Sequence, residues 1–262
     1  YLLPMAAAIW SCPTRTMLDY PLATFARFCH NHGLLQIFDR PRWRTVAGGG
    51  REYVRRILDE LDDVQVATPV LGVDRRPDGV WLRCRDGAER FDEVVFACHS
   101  DQTLAILGAG ASLDERRILG AVKYQPNLAL VHTDTALLPR RRKVWSAWNY
   151  LAGAGRPDER PVSVSYLINR LQPLPFAQPV LVSLNPARPM ARDKVLAEFD
   201  YDHPVFDLPA IAAQDQVPQL QGTQRTWYCG AWTGYGFHED GLQSGYRAAD
   251  LLLQQLHRRE AA

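Results

Sequence analysis

Lysine is nearly missing from this chain: of its thirty Lys and Arg residues only Lys123, Lys143 and Lys194 are lysine. The arginines are scattered rather than striped, and the formal net charge is +1. A surface built to hold nucleic acid or an anionic membrane is therefore not expected. The one dense run, Arg140-Arg141-Arg142-Lys143, reads as a solvated hairpin turn. Cysteine is sparse: Cys12, Cys29, Cys84, Cys98 and Cys229 form an odd set without a C-x-x-C pair. That excludes a disulfide framework and points to reduced thiols in a cytoplasm. No Cys/His grouping has ligand spacing, so no metal is expected; His30 and His32 suit the C-terminal end of a helix. Long apolar runs are also missing. Residues 1–10 are apolar but short, have no basic leader and run into polar sequence, which fits neither a signal peptide nor a membrane span. There is no Gly-x-Ser-x-Gly elbow and no His-Glu-x-x-His helix, and His238-Glu239-Asp240 are too close in sequence to form a catalytic triad.

What is present is a chain of 262 residues, 47% apolar, enough for one large or two modest domains. Residues 5–12 read as a helix halted by Pro13, and residues 21–32 as a second that starts on proline and stops at Gly33. After Gly48-Gly49-Gly50, the residues Tyr53, Val54, Ile57, Leu58 and Leu61 share one helical face. Residues 64–67, 70–75 and 80–85 read as strands with turns at Pro77-Asp78-Gly79 and Asp86-Gly87. Residues 93–97 make an apolar run suited to a buried parallel strand. Ser100 or Asp101 is placed to cap a helix ending at Gly108, and Ser112-x-x-Glu115 has the form of a capping box. Between 128 and 208 come five further strands, 128–133, 144–151, 162–167, 180–184 and 195–199, separated by Pro/Gly/Arg-rich turns such as residues 153–157. They suggest an antiparallel sheet.

The most informative stretch is 227–253. A short aromatic strand, residues 226–229, runs into a loop with Gly230, Gly234 and Gly236. An acidic pair then opens a helix on which Leu242, Tyr246, Ala249, Leu253 and Leu256 recur at helical spacing. Such a strand, glycine loop and helix lets backbone come close to a ligand, and serves equally well as a tight turn.

Cys229, Gly230, Ala231, His238, Glu239, Asp240, Gly241, Ser244, Gly245, Arg247, Ala248 and Ala249 resemble the last segment of flavin-containing amine oxidase-like proteins. The Gly-Phe-His-Glu-Asp-Gly wording is similar to a bacterial branch of predicted NAD/FAD-binding oxidoreductases. The resemblance implies a loop passing the FAD pyrophosphate and a helix N-terminus facing the flavin pyrimidine. Gly230, Ala231, His238, Glu239, Asp240 and Gly241 would then bind cofactor, and Val70 would sit where family backbone meets the adenine. His238 would help stabilise negative charge on the reduced flavin. The Gly-Gly turn would lead into a helix lying against the nucleotide-binding sheet. One departure matters: the family's Gly-Thr-Glu is here Gly230-Ala231-Trp232.

The implied fold is α/β (mixed α+β), a partial FAD-binding Rossmann-like domain interleaved with a substrate domain made of an antiparallel sheet and helices. Residues 43–107 and 223–262 would belong to the first, and 1–42 and 108–222 to the second. Trp145, Trp148, Tyr150 and Tyr235 would wall a pocket for an apolar or amine substrate. No G-x-G-x-x-G occurs anywhere in the sequence. The resemblance is therefore to the later part of a family member, with a first nucleotide-binding unit of roughly 150 residues expected elsewhere. The chain by itself is expected to hold FAD poorly and to be inactive. An uncovered sheet surface at Phe91, Val94, Val95, Phe96, Trp227 and Tyr228 is expected to favour self-association. The alternative is a binding or scaffold module that keeps the fold without redox turnover.

Overall fold

The computed structural model describes residues 2–39, 42–151 and 163–260. In chain order its elements are α1 (Leu2–Trp10), α2 (Leu22–Asn31), α3 (Arg51–Leu58), β1 (Gly72–Arg76), β2 (Gly79–Cys84), β3 (Gly87–Phe91), β4 (Val94–Phe96), α4 (Ser100–Leu107) and α5 (Leu113–Leu119). There follow β5 (Lys123–His132), β6 (Trp148–Tyr150), β7 (Val164–Leu167), α6 (Ile168–Leu171), β8 (Leu181–Leu184), β9 (Val195–Val205), α7 (Leu208–Gln214), β10 (Thr226–Tyr228) and α8 (His238–Glu260). Contacts divide the chain into two compact units, Tyr1–Val64 with Gln125–His203 and Gln65–Tyr124 with Pro204–Ala262. This division carries no assignment of cofactor or substrate roles. Among the described residues no helix is long and apolar enough to cross a membrane.

The first unit holds a five-stranded sheet in the order β6-β7-β8-β5-β9. The pairs β6–β7, β7–β8 and β5–β8 are antiparallel, as the alternating sequence pattern suggests. Asn149, Ser165 and Ser183 fall on one row across three strands. There the Ser165 and Ser183 hydroxyls lie 2.6 Å apart, and His132 Nε2 lies 2.7 Å from Ser183 Oγ. The Asp134 amide donates to His132 Nδ1 at 3.1 Å, which fixes the neutral ring with its proton on Nε2. All three side chains are buried. The basic run is exposed as expected, but it is no hairpin turn: it connects β5 to β6, which lie apart with β7 and β8 between them. The turn at residues 153–157 and the start of the strand expected from 162 lie outside the described residues. The apolar face of α3 is exposed at Tyr53, Val54, Ile57 and Leu58.

In the second unit β1, β2 and β3 form an antiparallel meander, and β4 pairs in parallel with β10. The parallel register is Thr226↔Val94, Trp227↔Val95 and Tyr228↔Phe96, which joins the two runs expected to share a sheet. Two readings need correction. Residues 64–67 form no strand: Ala67 has φ 56° and Val66 is exposed, with no neighbouring strand among the described residues to take up the backbone bonds. Strand β3 was hidden by its sequence, Gly-Ala-Glu-Arg-Phe, because every residue in it is exposed and nothing apolar marks it.

The buried centre of this unit is partly ionic. Glu115, at 2% exposure, accepts from both terminal nitrogens of Arg75 and from the Tyr228 hydroxyl. Ser112 completes the expected capping box at the start of α5. Around this cluster pack Val73, Val80, Phe96, Ile118, Leu119, Ala210 and Leu220. The cap expected for α4 is not made: His99 stands at that position without a side-chain bond. Of the surface expected to drive self-association, Phe96, Trp227 and Tyr228 are buried, while Phe91 and Val95 remain exposed. Trp227 gains a polar partner as well, its Nε1 donating to Glu93 at 2.9 Å.

Two outcomes follow from these buried groups. Glu115→Ala strands a guanidinium that is only 5% exposed, so unfolding in urea is expected to show a loss of about 3–5 kcal/mol. Tyr228→Phe, which removes one bond to the carboxylate, is expected to lose about 1.5–3 kcal/mol. Losses below about 1 kcal/mol in both variants would contradict this role. Burial holds His132 below its ordinary value of 6.5, against the opposing pull of Asp134. The unfolded chain then binds more protons on acidification. This contribution is fully present above 6.5 and lost as pH falls through the folded value. The melting temperature is expected to drop from about pH 7 to about pH 5, less steeply in His132→Gln; an equal slope in both proteins would rule the effect out.

Candidate functional site

The strand β10 is buried throughout, and the Cys229 amide extends its pairing by donating to Phe96 O at 2.9 Å. The chain then leaves the sheet through Gly230, whose φ of 142° and ψ of 160° suit glycine alone. A Cβ at Gly230 would stand 2.8 Å from the Trp232 indole, so the position has both a conformational and a steric reason for glycine. The Gly230 amide donates to Ser244 Oγ at 2.8 Å, and that hydroxyl donates on to Gly241 O at 2.7 Å. The loop is thereby tied to the first turns of α8.

Other loop groups are likewise satisfied within the protein. The amides of Gly234 and Gly236 donate to Ala231 O at 3.1 Å, and the Phe237 amide donates to Asp240 Oδ2 at 3.0 Å. Gln214 Nε2 reaches from α7 to the carbonyls of Trp232 and Gly234 at 2.9 and 2.7 Å. The loop therefore offers few donors of its own. Donors come from the opening turn of α8, where the amides of Glu239 and Asp240 precede any intrahelical acceptor.

One further polar atom is left over at this end of the sheet. His99 follows β4 with its ring stacked on Tyr124 at 4.5 Å, and its buried Nδ1 has no hydrogen-bond partner. Tyr124 is itself held by the Ser100 amide at 2.9 Å. In an open α/β sheet the carboxyl ends of the strands are where ligands are received.

The structure brings together Gly230, Ala231, Asp240 and Gly241; a Cβ at Gly241 would lie in ordinary contact with Ala231. His238 and Glu239 are exposed on the same helical turn, with Glu239 accepting from Gln243 at 2.8 Å. Val70 enters β1 half-buried against the core of the same unit. The four expected pocket residues are divided. Trp145, Trp148 and Tyr150 are in the first unit, while Tyr235 sits in the glycine loop of the second. Trp148 and Tyr150 share an exposed face of β6, Trp148 meeting Tyr166 edge-on at 5.0 Å. Trp145 precedes that strand and donates from Nε1 to Pro139 O at 2.7 Å. Sequence reasoning missed Gln214, Ser244 as the loop's anchor, and His99. Only Ser244 carried a signal, through its place in the Ser-Gly-x-Arg-Ala-Ala wording.

Trp232 stands two residues after Gly230, where the resemblance leads one to expect a glutamate. It is buried, and its indole N–H donates to Cys98 O at 3.2 Å. That position here braces the loop against the end of β4 and presents no carboxylate.

Residues 21–134 match the model of the flavin containing amine oxidoreductase family. No curated protein matches the sequence significantly. Among solved structures, a protein assigned as a protoporphyrinogen oxidase from Exiguobacterium sp. 255-15 aligns with a TM-score of 0.63 at 12% identity, covering 97% of this chain and 63% of that one. Cyclohexylamine oxidase from Brevibacterium oxydans aligns with a TM-score of 0.62 at 12% identity, covering 98% and 64%. A CLA-producing fatty acid isomerase from P. acnes aligns with a TM-score of 0.54 at 16% identity, covering 79% and 52%. The fold is thus that of the flavin amine oxidases, and the chain spans less than two thirds of the length of each of these structures.

The loop anchor yields a direct expectation. Ser244→Ala removes the acceptor of the Gly230 amide at a residue only 5% exposed. Denaturant unfolding is expected to show a loss of about 1–3 kcal/mol, and an unchanged midpoint would show that the anchor is dispensable.

Proposed function

We propose, from the match to flavin containing amine oxidoreductases, that this chain is the later part of an FAD-dependent oxidoreductase and that its glycine loop and α8 receive one edge of the flavin nucleotide. The observation that carries this reading is the junction at the carboxyl ends of β4 and β10. Two parallel strands there lead to a loop that leaves the sheet through Gly230 in a backbone conformation suited to glycine alone, a helix N-terminus and a buried His99 Nδ1 that makes no hydrogen bond. These residues fit such a group.

When bound, FAD supplies the hydride-accepting chemistry, so no nucleophile or acid/base dyad is required of the protein. The amides of Glu239 and Asp240 would provide donors, and Val70 lies at the strand that would meet the adenine. His238, exposed at the start of α8, would balance negative charge developing nearby. The exposed aromatic pair Trp148 and Tyr150 suits an apolar or amine substrate. The name of cyclohexylamine oxidase agrees with that class.

A non-catalytic scaffold reading is favoured by one specific observation, the replacement of the family's glutamate by the buried Trp232. Absorbance separates the two readings. Because the loop's own amides are largely satisfied internally and no G-x-G-x-x-G is present, the 262-residue chain is expected to purify colourless and to bind added FAD weakly. A longer product that includes a G-x-G-x-x-G unit is expected to be yellow and to lose flavin on Gly230→Ala. A longer product that stays colourless with excess FAD would overturn the oxidoreductase reading.

A further inference from the structure

We propose that a cleft in the first unit, between the segment after β5 and the loop after β8, binds an anion attached to an apolar group. The cleft measures about 610 Å³ and is lined by Arg140, Arg142 and Arg188 together with Leu138, Trp145 and Leu151. It is independent of the flavin reading, since it lies wholly within residues 135–188 of one unit.

Two features bear on what it could hold. First, among the described residues none of the three guanidiniums has a carboxylate within ion-pair distance. The neighbouring acid, Asp134, is already engaged by Lys194 at 3.4 Å and by the Ala136 amide at 3.1 Å. Three arginines thus line one concave surface with apolar walls, an arrangement that favours positive potential in the cleft. Second, Trp145 is fixed by its bond to Pro139 O, and the Arg142 guanidinium lies 5.3 Å from its ring centroid. Stacking occupies the face of a guanidinium and leaves its N–H edge available, which is the geometry that takes a carboxylate or phosphate through two bonds. Leu138, Leu151 and the indole supply a surface for the rest of the ligand. A protonated amine is the wrong charge for this cleft.

Calorimetric titration of the 262-residue chain at low salt, with decanoate, decyl phosphate and decylamine as probes, tests the proposal. Saturable binding of decanoate or decyl phosphate is expected, and the tighter of the two identifies the head group. Arg142→Gln and Arg188→Gln are each expected to weaken that binding about tenfold. Both residues are exposed, so the melting temperatures should stay at the wild-type value. The proposal fails if neither anion binds saturably, if decylamine binds as tightly, or if affinity for the anion survives both substitutions unchanged.

Discussion

The second unit depends on a single buried carboxylate. Glu115 has no water to solvate it, and burial opposes its charge, yet its pKa is held below the ordinary value by bonds from Arg75, Tyr228 and the Ser112 amide. Those partners come from three elements, with Arg75 40 residues away and Tyr228 113 residues away in sequence. Helix α5, strand β1 and strand β10 are thereby fixed to one point. Replacing such a pair by matched apolar groups would often be tolerated, but removing one partner leaves a charge without an answer. The cluster therefore defines one arrangement of the strands more than it adds to stability. Tyr228 is also the last residue of β10, two positions before Gly230, so the same bond sets where the glycine loop departs.

What the loop presents follows from how its own backbone is satisfied. Ser244, Asp240 and Gln214 take up loop amides or carbonyls, and Trp232 ties the loop to Cys98 O. Rigidity is obtained by internal bonding, at the expense of donors that a phosphate would need. On the proposed reading, a junction of this kind would position a flavin nucleotide held mainly by other parts of the protein. This agrees with the absence of a G-x-G-x-x-G turn from the sequence.

Local signals were legible where a residue's role is settled by its near neighbours. The capping box at Ser112 and Glu115, the antiparallel character of the strands after residue 128 and the parallel type of the run at 93–97 could all be read from spacing and apolar run. Roles decided at long range were not. Glu115 reads only as a capping residue, because nothing in the four positions around it announces Arg75 or Tyr228. The apolar stripe of α8 shows a different limit. Leu242, Tyr246 and Leu253 recur at helical spacing, yet they are 52%, 60% and 50% exposed, whereas Ser244 and Ala248 are buried. Close packing of α8 against its own loop admits only small residues, and hydrophobic periodicity cannot show that the small stripe is the inner one.

Net charge hides a comparable distinction. The sum of +1 suggests a featureless surface, but several charges are placed by partners. Glu93 lies under Arg225 and Arg259, Asp134 holds Lys194, and Glu115 holds Arg75. Arg140, Arg142 and Arg188 differ from these in lining one cleft with no acid within ion-pair distance among the described residues. Arginine is abundant in this chain, so its presence at any one position says little. Convergence does say something, since an exposed arginine placed at random is as free to turn toward solvent as toward its neighbours. Here Trp145, itself pinned by Pro139 O, constrains Arg142 by stacking. A charge whose direction is limited by packing contributes a persistent field rather than an averaged one.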